Sequence, residues 1–307
     1  MANRRRSPGS KAGVRRVPPS PSAPGMRGRP SPNGIRPFRS FAPVHSGPQN
    51  AMNDGYVKSE VEGGIATVTF HHPKSNSLPG QVLRGMAMAI EEAGRNPAVR
   101  VIVLRSDGHK AFCAGASFDE LVAIDSAENG LAFFSGFALV INAIRKAPVF
   151  VIGRIHSHTV GGGTGLACAV DIALAHDSAS ARLSELAIGI GPFVVGPAVE
   201  RKVGMGTFGV MSATPALRRD AAWCERHGIF AEVLPTVEAL DERVAALAAE
   251  LAAYSPEAMA ELKRVMWKGT ENWDELLSER AAISGRLVLS DFTRQAIARF
   301  KAEAAKR

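Results

Sequence analysis

Two stretches decide how this chain reads: Ala111-Phe-Cys-Ala-Gly-Ala-Ser-Phe-Asp-Glu-Leu121 and Val160-Gly-Gly-Gly-Thr-Gly-Leu166. Each follows a largely apolar run rich in β-branched residues, Val99–Leu104 in one case and Val149–Ile155 in the other, and each opens a run of helical character. A helix N-terminus leaves backbone N–H groups unpaired and carries partial positive charge. Glycines let a ligand oxygen approach those N–H groups closely. Two such loops facing one another would make an oxyanion hole, where negative charge developing on a carbonyl oxygen is held. A glycine-rich turn before a helix is also a common packing device, and a lone triple glycine carries little weight. GGGTG is not the dinucleotide fingerprint GxGxxG with an acidic residue about 20 positions on. Nor is it a P-loop, because no Gly-Lys-Ser/Thr follows. The pair of loops, in this order and about 45 residues apart, is the specific signal.

Around the loops, strand and helix patterns alternate. Val57–Glu62 and Ile65–Phe70 flank Gly63-Gly64 as a hairpin. Gln81–Gly94 predicts a helix that stops near Asn96-Pro97, Ser106–Ser117 a loop, Leu131–Ile144 a helix and Asp171–Ala175 a short strand. Glu200-Arg201-Lys202 reads as an exposed helix turn. Further on, helices stand alone: Leu217–His227, Val237–Tyr254, Pro256–Met266, Trp273–Ser284 and Phe292–Ala305. That order predicts an α/β core followed by a helical region, with no internal sequence repeat.

The 307 residues are 46% hydrophobic and 21% charged, an ordinary globular composition that excludes a fibrous repeat, a disulfide-stapled miniprotein and a wholly disordered chain. The net charge of +8 is unevenly placed. Residues 1–50 carry ten Lys/Arg, no Asp or Glu, and ten of the nineteen prolines, which leaves 51–307 slightly acidic. Such a tail has little apolar surface to bury and is expected to be disordered. Three readings of it stay open: a dispensable extension before Met52, an organelle transit peptide, and a phosphate-attracting nucleic-acid arm. The expected organisation is a basic Pro/Arg-rich tail over 1–51, an α/β core over 52–245 and a helical region over 246–307. The three cysteines, Cys113, Cys168 and Cys224, form no CxxC pair and fit a reduced compartment. No apolar run approaches the roughly 18 residues of a membrane span, so no membrane partner is expected. No His/Cys/Asp cluster has metal-ligand spacing, so no metal is expected.

The segments HHPKSNSL (71–78), KAFCAGASFDEL (110–121), GGGTGLACAVD (161–171), ARLSELAIGIG (181–191) and DAAWCERHGIFAEVLP (220–235) together resemble the crotonase, or enoyl-CoA hydratase/isomerase, superfamily from about Tyr56 to the C-terminus. Within it, the chain is most similar to bacterial members described as methylglutaconyl-CoA hydratase or enoyl-CoA hydratase/isomerase. The resemblance implies a crotonase-like α/β spiral of ββα units with a helical C-terminal trimerisation region. It implies a homotrimer or homohexamer acting on acyl-CoA with no cofactor beyond the coenzyme A of the substrate, in the cytoplasm, or in the mitochondrial matrix if the tail is a transit peptide.

Carried over residue by residue, the resemblance assigns the two oxyanion N–H groups to Ala116 and Gly162. The family's hydratases use two glutamates. At the first of those positions this chain has Gly165, and the second is matched by Glu185. Hydration asks for a water to be activated and a proton delivered, tasks that two carboxylates divide well. Shifting a double bond between positions 3 and 2 asks for one proton to be removed and returned, which one carboxylate can do. Both reactions stay open, with Glu185 as acid/base. Coenzyme A is expected against Lys74, Ser75, Ala114 and Ser117, and the acyl group against Gly161 and an apolar wall of Phe193, Val194 and Val195. Phe133, Phe134 and Phe137 either border the acyl pocket or are core. His156 and His158 are expected to pack or hydrogen-bond, Cys113 to be a buried small residue and Asp171 to be structural. The alternative is a catalytically degenerate crotonase-fold protein that binds nucleic acid or partners through the basic tail.

Overall fold

A computed structural model describes residues 55–304, with side chains to residue 299. The tail over 1–51 lies outside the described residues.

β1 (Tyr56–Glu62) and β2 (Ile65–His71) form the expected antiparallel hairpin, paired from Tyr56↔His71 to Glu62↔Ile65. After the short β3 (Ser77–Leu78), α1 (Gly80–Arg95) buries Val82, Leu83, Met86, Ile90 and Ala93, the spacing of one helical face, and ends at Asn96 before Pro97. β4 (Val101–Ser106) is followed by β5 (Ala111–Cys113) and β6 (Gly115–Ala116). The expected loop over Ser106–Ser117 therefore contains two strands of two and three residues, too short to show a period.

α2 (Phe118–Val122) is capped by Ser117, and α3 (Ala127–Lys146) by Ser126. Among the described residues α3 is the one helix long and apolar enough by composition to cross a membrane, contrary to the sequence expectation. It packs on α1 with Phe137, Val140, Ile141 and Ile144 buried, the position of a core helix.

β7 (Phe150–Ile155), β8 (His158–Val160), α4 (Gly162–Ala169), β9 (Ile172–His176) and β10 (Ser180–Arg182) follow, then a single 3-10 turn, Glu185–Ile188. α5 (Gly196–Ala213), helical on both sides of a kink at Gly204, where φ is +77°, showed in the sequence only as a charged turn. Its Lys202 is not exposed: the ammonium donates to the carbonyls of Val170 and Asp171, both at 2.9 Å. β11 (Arg219–Asp220) and α6 (Ala221–Arg226) replace the single helix expected over 217–227, because Asp220 caps Trp223 N–H and starts the helix late. β12 (Glu232–Leu234), α7 (Val237–Ala252), α8 (Pro256–Met266), α9 (Trp273–Leu287) and α10 (Asp291–Ala304) complete the chain. The boundary at 245/246 falls inside α7.

Six strands form one sheet in the order β1-β2-β4-β7-β9-β12, parallel except for the opening hairpin. A parallel sheet is covered on both faces. Val101, Val103, Ile152 and Leu174 face Leu240, Val244 and Ala248 of α7, while Ile102, Leu104 and Val151 face the main core with α1 and α3. A second sheet, β11-β10-β8-β5, carries the two glycine loops, and β3 pairs with β6 beside it.

Deep in the core Asp171 forms a hub. Its carboxylate accepts from Val151 N–H and Trp267 Nε1–H, both at 2.8 Å, and pairs with the Lys263 ammonium at 2.8 Å. Lys263 also donates to Val149 O at 2.7 Å. The hub ties α8 to the sheet and bears out the structural reading of Asp171.

Candidate active site

β5 and β8 run parallel, with Ala111↔His158 and Cys113↔Thr159. The chain leaving β5 therefore travels beside the chain leaving β8, and residues 114–117 come to lie against 160–163. A β-carbon built on Gly115 would sit 3.0 Å from Val160 O and 3.8 Å from Gly162 N. Both turns need left-handed backbone, Gly115 at φ +96° and Gly161 at φ +54°, which glycine adopts without strain.

Gly161 N–H donates to Arg182 O at 2.8 Å, and Gly165 N–H makes the first bond within α4, to Gly161 O. Gly162 N–H stands at the open N-terminus of that helix, without an acceptor inside it. On the facing loop Ser117 N–H donates to Leu78 O at 2.8 Å. Adjacent N–H groups of an extended chain point to opposite sides, so Ala116 N–H turns away from β3. Ala114, Ala116, Gly161 and Gly162 all line one cavity of about 510 Å³.

Glu185 enters the same cavity from the 3-10 turn after β10. Its Oε1 lies 3.0 Å from the position a β-carbon on Gly161 would take, and its Oε2 is buried with no hydrogen-bond partner among the described residues. Burial pushes its carboxyl up to about 7, against the opposing pull of the backbone N–H groups of Glu185 and Ser184 and of the Arg182 guanidinium.

The apolar wall is present: Phe193, Val194 and Val195 line the cavity, opposite Phe133, Phe134 and Phe137 of α3. Phe137 is both wall and core, being buried in the main cluster. At the position of the missing glutamate, a β-carbon on Gly165 would meet Val195. Thr164 is fully buried and donates to Arg182 O at 3.0 Å, so it holds β10 to the loop.

The sites expected for coenzyme A divide. Ala114 lines the cavity. Lys74, Ser75 and Ser117 are not among its lining residues. Lys74 is exposed and ion-paired with Asp119, Ser75 sits at φ +55°, and Ser117 is buried as the cap of α2. Lys74 and Ser75 belong to a turn that adjoins the first loop, which carries Ser117, through the β3–β6 pairing. Sequence reasoning missed its anchor, Asn76. That buried amide donates to Asp107 O and Ala111 O, both at 2.9 Å, and accepts from His72 N–H.

Cys113 is fully buried, with its thiol pushed up to about 12 by burial, which fits a packing residue. His158 Nδ1 lies 2.9 Å from Ser180 Oγ. His156 is held down to about 4 by burial and by Arg154 and Arg105 beside it, so it stays neutral. Neither histidine lines the cavity. Arg182 does line it, although no sequence signal singled it out. Among the described residues no group of His, Cys, Asp and Glu could hold a metal ion.

A family model described as enoyl-CoA hydratase/isomerase matches residues 60–299. A putative enoyl-CoA hydratase/isomerase of Bacillus subtilis is 29% identical over 224 residues, covering 72% of this chain and 84% of that protein. The human mitochondrial methylglutaconyl-CoA hydratase is 32% identical over 187 residues, 61% of this chain and 54% of the relative. Among solved structures, a putative enoyl-CoA hydratase of Mycobacterium avium paratuberculosis superposes with a TM-score of 0.70 at 27% identity, covering 81% of this chain and 97% of that one.

Proposed function

The chain belongs to the enoyl-CoA hydratase/isomerase family, and on that premise we propose that it is a one-carboxyl enoyl-CoA isomerase. The observation that carries this reading is a single carboxyl of raised pKa, Glu185, in a cavity whose second carboxylate position is filled by packing at Gly165. The thioester oxygen lies between Ala116 N–H and Gly162 N–H. Ionised Glu185 removes a proton from C2 of a 3-enoyl thioester. The electron pair spreads into a dienolate, and its charge rests on the oxygen held by the two N–H groups. The carboxyl so formed gives the proton to C4, which leaves the 2-enoyl thioester and restores the carboxylate. Donor and acceptor are the same group, so its pKa has to lie near the working pH, and about 7 meets that need.

No step consumes a cofactor: coenzyme A arrives with the substrate and leaves with the product. Its pantetheine arm passes Ala114 and Ser117 of the first loop, with Lys74 and Ser75 on the adjoining turn toward the nucleotide. Phe193 closes the acyl end. Assembly as a trimer or a dimer of trimers is part of this reading. It is supported by the exposed apolar side chains of α5 and α8, Met205, Val210, Leu262 and Val265, and light scattering on the purified protein tests it.

The conjugated 2-enoyl thioester absorbs where the 3-enoyl and hydrated thioesters do not. Rising absorbance with a 3-enoyl-CoA, abolished in Glu185→Gln, is the expected result. Falling absorbance with crotonyl-CoA would instead assign hydration, and silence with both would end the reading.

A further inference from the structure

The acyl cavity has a neighbour. A second cavity of about 460 Å³ lies beside it, and Gly191, Pro192 and Phe193 line both. Of these three, Phe193 alone carries a side chain large enough to stand between the two spaces. Its ring folds back over Gly191: a β-carbon there would lie 2.5 Å from Cε2 and Cζ of Phe193. Phe193 N–H donates to Gly191 O at 2.8 Å, a three-residue turn that fixes where the ring starts. Glycine at 191 thus leaves the room that the ring fills. Beyond the ring the second cavity is lined mostly by apolar groups, among them Leu186, Pro197 and Phe208. Phe208 packs on Gly196, where a β-carbon would lie 3.0 Å from its Cζ.

An apolar space next to the acyl cavity suits a hydrocarbon chain, because each methylene taken out of water is stabilising. A polar ligand is poorly matched, since only Glu200, Ser212 and Arg280 offer it polar side chains. We infer that Phe193 sets the length of acyl chain the enzyme accepts, and that the second cavity is a latent tail site which its ring shuts off. This deepens the proposed function and rests on it for the end of the first cavity that holds the acyl group. The barrier is a side chain and not backbone, so a single exchange at 193 is enough to join the two spaces. Phe193 is thus a specificity residue: it limits the chain, and Glu185 moves the proton.

The test is calorimetric binding of butyryl-, octanoyl- and dodecanoyl-CoA, saturated thioesters that the enzyme can neither isomerise nor hydrate. In wild type, affinity is expected to stop rising within this series, once the chain meets the ring. In Phe193→Ala it is expected to keep rising, by about 4-fold for each further methylene buried, so that the dodecanoyl-to-butyryl affinity ratio exceeds that of wild type by at least about 10-fold. Phe193→Leu is expected to fall between the two. A crystal structure of Phe193→Ala with dodecanoyl-CoA is expected to place the end of the chain against Phe208. An unchanged ratio in Phe193→Ala overturns the inference. So does a wild-type affinity that rises steadily to dodecanoyl-CoA, or a chain that leaves the first cavity by another route. If Phe193→Ala does not fold, wild type and Phe193→Leu still decide. Failure of the isomerase reading would show in the absorbance assay and leave these binding ratios standing.

Discussion

A β-carbon on Gly165 would lie 2.4 Å from both Cβ and Cγ1 of Val195. The absence of a side chain at 165 and the valine at 195 are thus one feature. The space a second carboxylate would need is already taken by an apolar group.

Restoring a glutamate at 165 alone is expected to overpack this contact and destabilise the fold by about 1–3 kcal/mol, with no gain in hydration. Gly165→Glu combined with Val195→Gly relieves the clash and is expected to gain measurable hydration of crotonyl-CoA. Thermal denaturation and the absorbance assay on both variants check the pair. A stable single variant would show that Val195 yields easily.

Glu185→Gln is expected to lower turnover of a 3-enoyl-CoA by about 100-fold or more, the usual worth of a positioned acid/base. In wild type, kcat/KM is expected to fall as pH drops through about 7, because the base must be ionised. A profile flat between pH 6 and 8 would remove Glu185 from the role.

The same carboxyl costs stability. Its folded pKa lies above the ordinary carboxylate value, 4.5, at about 7. The folded state therefore favours the protonated form. Stability is highest below the unfolded pKa and is lost as pH rises from about 4.5 to about 7. Glu185→Gln is expected to be more stable than wild type at pH 8 by up to about 3 kcal/mol, and nearly equal to it at pH 4. Denaturant midpoints at the two pH values measure the difference.

Asp171→Asn leaves the Lys263 ammonium buried without its partner. Its expected cost is about 3–5 kcal/mol, read as a lower urea midpoint. Asp171 and Lys263 are 0% and 2% exposed, so solvent cannot take over the pairing.

The sequence carried the parallel core and both glycine loops because their signals are local: β-branched apolar runs in β4 and β7, and glycines where φ is positive. Glu185 was singled out only through the resemblance of its segment, ARLSELAIGIG (181–191), to the family. Val195 was expected in the apolar wall, but its contact with Gly165 was not legible, nor was Arg182 as a cavity residue, because what each faces is set by how β10 and the start of α5 pack. Lys202 read as part of an exposed helix turn, and nothing in the sequence singled out Lys263. Only the tertiary fold shows that their ammonium groups end on buried carbonyls and, for Lys263, on Asp171. β5 and β6 escaped notice because a strand of two or three residues has no period to read.

The parallel pairing of β5 with β8 has a further consequence. The two glycine loops leave neighbouring strands of one ladder, so main-chain bonding brings residues 114–117 against 160–163 whatever side chains surround them. On the proposed reading, substitutions along the cavity wall can redirect which molecule is accepted, or where a proton is delivered, while the two loops stay in register. The placing of the loops is thus inherited with the backbone, and the proposed selectivity and chemistry would be written on the residues that can be exchanged.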